Sequence, residues 1–223
     1  MPEKVIVSWS GGKDSALALQ KVIDDENYEV AGLFSTISEQ SLHLPVHEVS
    51  KNLLMKQAAA LDQPLKIVMV PENASNQIYN NVMKEVFEGF RERKISKVVY
   101  ADLFLEDIRS FRDELLKKNG MAGVYPLWGM GSQKVAAEVI GNGFQAVVTT
   151  VDTLKLDQRL PGVLYDREFL HSLPSDIDPC GENGEFHTFV CDGPLFHTPL
   201  RLQHGKRFES HDGRFSHVEL DEK

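Results

Sequence analysis

The chain has 223 residues, 42% of them apolar, with a formal charge of −9 and a pI of about 5.4. That length suffices for one large domain, or a domain with a smaller lobe, around an ample core. The acidic balance argues against a general nucleic-acid coat: no DNA partner is expected and RNA is disfavoured. No stretch is long and apolar enough to span a bilayer, Met1–Lys13 holds no apolar core for a signal peptide, and Cys180 and Cys191 are spaced neither as a usual zinc site nor as a disulfide framework; a cytoplasmic protein away from membranes is the expectation. In chain order, Val5–Ser8 reads as a central strand, followed by a helix from Asp14 to about Ile23 and a strand over Val30–Thr36. Ser38–His47 is a polar loop in which Pro45 denies a helical two-histidine metal face to His43 and His47. A helical pattern runs from His47 to Leu61, then a strand over Lys66–Val70 and an amphipathic helix over Asn76–Arg93. Lys97–Ala101 is the fourth strand, its following helix ends at Asn119-Gly120, Gly123–Tyr125 is short and apolar, and Ser132 to about Asn142 is helical. Ala146–Val151 reads as the fifth strand. Strands alternating with helices predict an α/β fold with a doubly wound, parallel, five-stranded sheet. After about residue 155 the periodicity fades, which suggests a smaller lobe folded over the sheet's carboxyl edge.

The organising stretch is Ser10-Gly11-Gly12-Lys13-Asp14-Ser15, between the first strand and the first helix. Glycines permit a sharp turn and close approach to a ligand, and a helix N-terminus favours an anion. Ser10 and Ser15 offer hydroxyls and Lys13 a positive charge. Asp14 would repel a phosphate unless it caps the helix or a divalent cation lies between them. The spacing is not that of the Gly-x4-Gly-Lys-Ser/Thr phosphate loop. The hexapeptide resembles instead the PP-loop of ATP pyrophosphatases, in which the loop holds the terminal phosphates while the α-phosphate is attacked. That resemblance implies ATP as cosubstrate, Mg²⁺ held by Asp14, and adenine against the end of the second strand at Leu33, Phe34 and Ser35; Phe34 is equally a core candidate. Asp102, Glu106, Asp107 and Arg109 follow the fourth strand, where open parallel sheets bind ligands.

Two later stretches carry polar residues without a core role: Thr153–Gly162, with Lys155 and Arg159, and Asp178–Thr188, with Glu182, Asn183, Glu185, His187 and Thr188. A surface turn leading into an edge strand over Phe186–Cys191 explains the second stretch as well as a ligand site does. Together, Ser10–Ser15, Tyr125-Pro126-Leu127-Trp128 and Cys180–Thr188 resemble the diphthine–ammonia ligase family, a likeness covering nearly the whole chain. The chain departs from the diphthine-specific pattern: His187 stands where those members tend to carry Glu, and Leu105–Arg109 where they tend to carry Ser-Asp-Tyr-Gln. It is closer to a bacterial-type branch associated with cobalamin-related amide chemistry.

The resemblance implies an adenine nucleotide alpha hydrolase-like fold, with residues 1–125 as the ATP-binding domain and residues 126–223 completing the sheet and carrying the acceptor site. It implies an AMP-forming carboxylate–ammonia ligase. Lys13, Asp14, Glu182 and Glu185 are the catalytic candidates. Ser10–Ser15, Leu33, Phe34, Ser35 and Asp102 are the nucleotide candidates. Glu106, Arg109, Trp128, Lys155, Arg159, Asn183, His187 and Thr188 are candidates for the acceptor, a carboxylate on a small molecule or a protein side chain, which would meet free ammonia. A homodimer is open to it. Thiolation of RNA through Cys180 and Cys191, and an adenine-nucleotide sensor without turnover, are the rival readings.

Overall fold

The structure is a computed structural model describing residues 1–223. Its first sheet is five-stranded and parallel throughout, with β1 (Glu3–Ser8), β2 (Tyr28–Ser38), β5 (Leu65–Val70), β6 (Lys97–Val99) and β7 (Ala122–Val124) in the order β5-β2-β1-β6-β7. Helices α1 (Lys13–Ile23), α2 (Lys51–Ala60), α3 (Asn76–Glu92) and α4 (Glu106–Lys118) make the crossovers. The central strand β1 is apolar on both faces because helices cover both. Val5 and Val7 point into a core shared with α1 and α2, whereas Ile6 points into a separate core with Phe87, Phe90 and Leu116 of α3 and α4.

Three expectations are corrected here. The fifth parallel strand is Ala122–Val124, not Ala146–Val151. The latter lies in β8 (Gln145–Asp152), the centre of a second, antiparallel sheet ordered β10-β11-β8-β9, with β9 (Phe186–Asp192), β10 (Leu202–Ser210) and β11 (Phe215–Glu222). The C-terminal lobe therefore does not complete the parallel sheet; it builds its own, with α5 (Ser132–Gly141) and the short α6 (Arg167–Ser172) beside it. All of β8 after Gln145 is buried, and a run of apolar residues reports burial rather than the direction of its neighbours. The region from His47 also differs: a two-residue hairpin, β3 (His43–Leu44) with β4 (Val49–Ser50), precedes α2, which begins only at Lys51, where the Ser50 hydroxyl caps the Leu53 N–H.

The lobes share one hydrophobic cluster, which runs from Val5, Leu17 and Leu54 into Val148, Phe186, Phe189 and Val190. The chain leaves β1 on one side for β2 and β5 and returns on the other side as β6. That reversal opens a crevice at the carboxyl ends of β1 and β6, the place where doubly wound sheets bind ligands. No helix is long and apolar enough to cross a membrane.

Candidate active site

The loop after β1 forms the floor of a cavity of about 620 Å³, within the range of roughly 300–1,000 Å³ usual for ligand clefts. Ser10, Gly12, Lys13, Asp14 and Ser15 line it, with Thr36 from β2, His47 from the hairpin, Ala101, Asp102 and Arg112 from the β6–α4 region, and Glu182, His187 and Thr188 from the second lobe. Gly11 holds the turn in place from below. Its φ of +75° lies in the left-handed region, and a Cβ there would come within 2.8 Å of Gln57 Oε1 and 2.9 Å of Leu54 Cδ2. The Gly11 carbonyl accepts from Val190 N–H at 2.9 Å and from Gln57 Nε2 at 3.0 Å. Gln57 also accepts from Trp9 Nε1 at 2.9 Å and donates to the Val190 carbonyl at 2.6 Å. The loop is thus tied to both lobes by a buried polar network with its partners satisfied.

Helix α1 begins above this turn without a side-chain cap. The Gly12 N–H donates to Ser10 Oγ at 3.3 Å and the Lys13 N–H to Thr188 Oγ1 at 3.2 Å. The amides of Asp14 and Ser15 find no protein acceptor, which leaves two donors and the positive end of the helix for an anion. Asp14 Oδ1 is buried without a hydrogen-bond partner. One free carboxylate oxygen next to anion-binding amides suits Mg²⁺ held jointly by protein and phosphates. The protein alone offers no cluster of three metal-ligating side chains.

Lys13 was expected to meet the phosphates. The structure places its ammonium 2.8 Å from Asp14 Oδ2 and in contact with the Cys180 carbonyl, over the Tyr165 and Phe186 rings at 5.2 and 5.3 Å. Burial pulls its pKa down, but Asp14, with Cys180 and Glu182, outweighs that and holds it above 10.5, so the buried cation persists. It clamps the Asp178–Thr188 loop onto the β1 turn.

Glu182 projects to the cavity wall, where Oε1 accepts the Leu103 N–H at 2.8 Å. Burial, against that hydrogen bond and with help from Asp14 and Asp102, lifts its pKa to about 7. Asp102 is raised by burial and pairs at 2.8 Å with Arg112, which stacks on Tyr100. Glu185, three residues on, is turned away from the cavity. It accepts from Asn183 N–H at 3.0 Å and Asn183 Nδ2 at 3.1 Å and pairs with Lys155 at 3.7 Å, so Glu185, Asn183 and Lys155 brace the loop from behind. Gly181 and Gly184, with φ of +68° and +81°, set this alternation.

Several further candidates stand outside the cavity. Leu33, Phe34 and Ser35 are buried; the Phe34 carbonyl accepts from Trp9 N–H at 2.8 Å and Ser35 Oγ donates to the Trp9 carbonyl at 2.6 Å, which leaves Thr36 as the lining residue of β2. Glu106 is exposed on the first turn of α4. Arg109 stacks over Tyr125 and Trp128 at 4.6 and 4.5 Å in an aromatic cluster beside the site. Arg159 is exposed, pairs with Asp157, and lines a separate surface depression with Gln158 and Arg207. Residues that sequence reasoning missed are Thr36, Arg112 and His47. The ring of His47 lies 4.1 Å from that of His187, and burial pushes His47 down to about 4 and His187 well below its usual value. The histidine two residues past Pro45 was the only sequence signal for it.

Comparison with known proteins sets this geometry in a family. Residues 3–123 match the diphthamide synthase N-terminal domain and residues 131–222 the diphthamide synthase C-terminal domain. The chain is 23% identical over 236 residues to a diphthine–ammonia ligase of Schizosaccharomyces pombe, covering 97% of this chain and 39% of that protein, so it spans well under half of that relative's length. It is 23% identical over 215 residues to the diphthine–ammonia ligase of Rattus norvegicus, covering 86% of this chain and 80% of that one. Among solved structures it is similar to a U34-tRNA thiolase of Methanococcus maripaludis, at 16% identity and a TM-score of 0.38 over 62% of this chain and 57% of that one. With the two domain matches lying end to end along nearly the whole sequence, the chain belongs to the diphthamide synthase family.

Proposed function

We propose that this protein is an ATP-dependent, AMP-forming ligase that joins ammonia to a carboxylate. The observation that carries the reading is the floor of the cavity: two unengaged amides at a helix N-terminus, a carboxylate oxygen without a partner, and a wall carboxyl whose pKa sits near neutrality. The Asp14 and Ser15 amides hold the terminal phosphates and stabilise the charge of departing pyrophosphate, on a turn braced by the Ser10 hydroxyl donating to Ser15 Oγ at 3.2 Å and the Ser15 hydroxyl to the Gly12 carbonyl at 2.8 Å. Asp14 Oδ1 would hold Mg²⁺, and the ion would supply positive charge against the phosphates. The substrate carboxylate attacks the α-phosphorus, pyrophosphate leaves, and ammonia then displaces AMP from the acyl group to give the amide. Glu182, half-ionised near pH 7, accepts the proton that the attacking nitrogen must lose. Lys13 contributes by fixing the second-lobe loop rather than by touching phosphate. Such a reaction draws on the cytoplasmic pools of ATP and ammonium.

The relatives' names point to diphthine as the acceptor, and a corrinoid carboxylate is the other acceptor class to assay. Thiolation through Cys180 has less support: its Sγ donates to the Ser132 carbonyl at 3.2 Å, and burial raises its pKa to about 12. The test is incubation with ATP, Mg²⁺, ammonium and each acid in turn. AMP and pyrophosphate are expected in equal amounts and only when acid is present. ADP release, or acid-independent AMP, overturns the assignment.

A further inference from the structure

The end of the cavity beside β2 has a chemistry of its own. Its walls are Thr36, Leu44, Val46, His47, Phe186 and His187, with no carboxylate among them. His47 Nδ1 lies 3.3 Å from the Pro45 carbonyl, which can only accept, so the proton belongs on Nδ1 and Nε2 carries a lone pair. His187 Nε2 is buried without a partner, against the His47 ring. Burial first, and the Lys13 cation after it, disfavour protonation of either ring.

The segment carrying His47 is held rather than loose. Thr150 Oγ1 donates to the carbonyls of Val46 and His47, at 3.2 and 3.4 Å. Thr150 therefore accepts from His217 Nδ1 at 2.9 Å, and His217 Nε2 accepts from Ser210 Oγ at 2.7 Å. Val46 is kept at a φ of 68°, a region a β-branched residue occupies only under constraint. A rigidly placed, neutral, flat group offering one lone pair suits a neutral planar ligand with an N–H donor. It does not suit an oxyanion, which brings no proton to share.

We propose that this end receives the nucleobase, and that His47 Nε2 accepts a hydrogen bond from the exocyclic 6-amino group of adenine, so that the cavity selects ATP over purine triphosphates carrying a 6-carbonyl. A carbonyl oxygen at that position would face the imidazole lone pair, and one buried acceptor would be left unpaired. His187, assigned from sequence to the acceptor, packs behind His47 as the wall of the base pocket. The inference rests on the nucleotide reading above. It goes beyond it by moving base recognition from the end of β2, where the Phe34 carbonyl is engaged by the Trp9 amide, to an imidazole of the hairpin.

The experiment is equilibrium binding of ATP, inosine triphosphate and tripolyphosphate to the whole chain with Mg²⁺. The unaltered protein should bind ATP about tenfold more tightly than inosine triphosphate, the discrimination that one hydrogen bond supplies. His47→Phe, which keeps a flat ring and removes the lone pair, should bring the two to within about twofold and leave tripolyphosphate affinity unchanged. Equal binding of the two nucleotides by the unaltered protein, or an unchanged ratio in His47→Phe, overturns the base assignment alone. A protein that binds neither ATP nor tripolyphosphate overturns the nucleotide reading, and this inference with it. Imidazole ¹⁵N spectra of the unaltered protein give a readout that does not depend on a variant folding. The His47 Nε2 resonance should have unprotonated character and move toward the hydrogen-bonded value with ATP but not with inosine triphosphate. A resonance unmoved by ATP overturns the assignment.

Discussion

The two ends of the cavity use the same physics to opposite effect. At the β6 end burial raises Glu182 from 4.5 to about 7; at the β2 end burial lowers His47 from 6.5 to about 4. Both shifts favour the uncharged form. Between them Lys13, 2.8 Å from an Asp14 carboxylate oxygen, keeps its charge against burial because that partner outweighs it. Full positive charge thereby sits on Lys13 at the floor, near the two unengaged amides, and on Arg112 in the β6 wall. One end is left able to trade a proton near neutrality, and the other is a fixed neutral surface. The ends also tilt stability against pH in opposite senses. Between pH 4.5 and 7 folded Glu182 keeps a proton that the unfolded chain has released, so its contribution falls as pH rises. Between 6.5 and 4 folded His47 refuses a proton that the unfolded chain takes up, so its contribution falls as pH drops.

The comparison breaks most severely at its centre. Lys13→Met keeps length and bulk but leaves the Asp14 carboxylate and the Cys180 carbonyl without their cation. A loss of about 3 kcal/mol in urea unfolding is expected. Were Lys13 an exposed phosphate ligand, nucleotide affinity would fall with stability little changed. At the β6 end, Glu182→Gln should slow acid-dependent AMP formation by about a hundredfold while ATP affinity stays within about twofold. In the unaltered protein the same rate should rise to half its maximum near pH 7. Its melting temperature should drop between about pH 5 and about pH 8 less in Glu182→Gln than in the parent. At the β2 end the sign reverses: His47→Phe should soften the loss of melting temperature from about pH 6.5 to about pH 4.5. If both variants tilt the curve the same way, the contrast between the ends fails. The smallest effect is expected from Arg159→Ala, an exposed residue lining a different depression: stability within about 0.5 kcal/mol and unaltered AMP formation.

The strand, glycine turn and helix of the first 23 residues were legible because the local signals agree there: an apolar run, two adjacent glycines and a helical apolar stripe. Glu182 and Glu185 could not be separated in the same way. They belong to one short glycine-rich loop and carry the same side chain, and only the left-handed turns at Gly181 and Gly184 decide which one faces the cavity. The error at β8 has another origin. Its partners, Phe186–Asp192 and Phe215–Glu222, lie far along the chain, and nothing local states that they run antiparallel to it. His47 was hidden by a helical periodicity that begins before the helix does, since the two-residue pairing of His43–Leu44 with Val49–Ser50 leaves almost no pattern to read.

One backbone contact has a bearing on how the molecule comes into being. The Gly11 carbonyl is met by the amide of Val190, at 2.9 Å. A growing chain on the ribosome can pair β1 with β2 early, yet its glycine turn stays open to water until synthesis has passed residue 190. On the proposed nucleotide reading, competence at this turn is therefore acquired late, after most of the polypeptide exists. Among stalled chains of increasing length, ATP should retard amide exchange at the turn only in those long enough to have released β9.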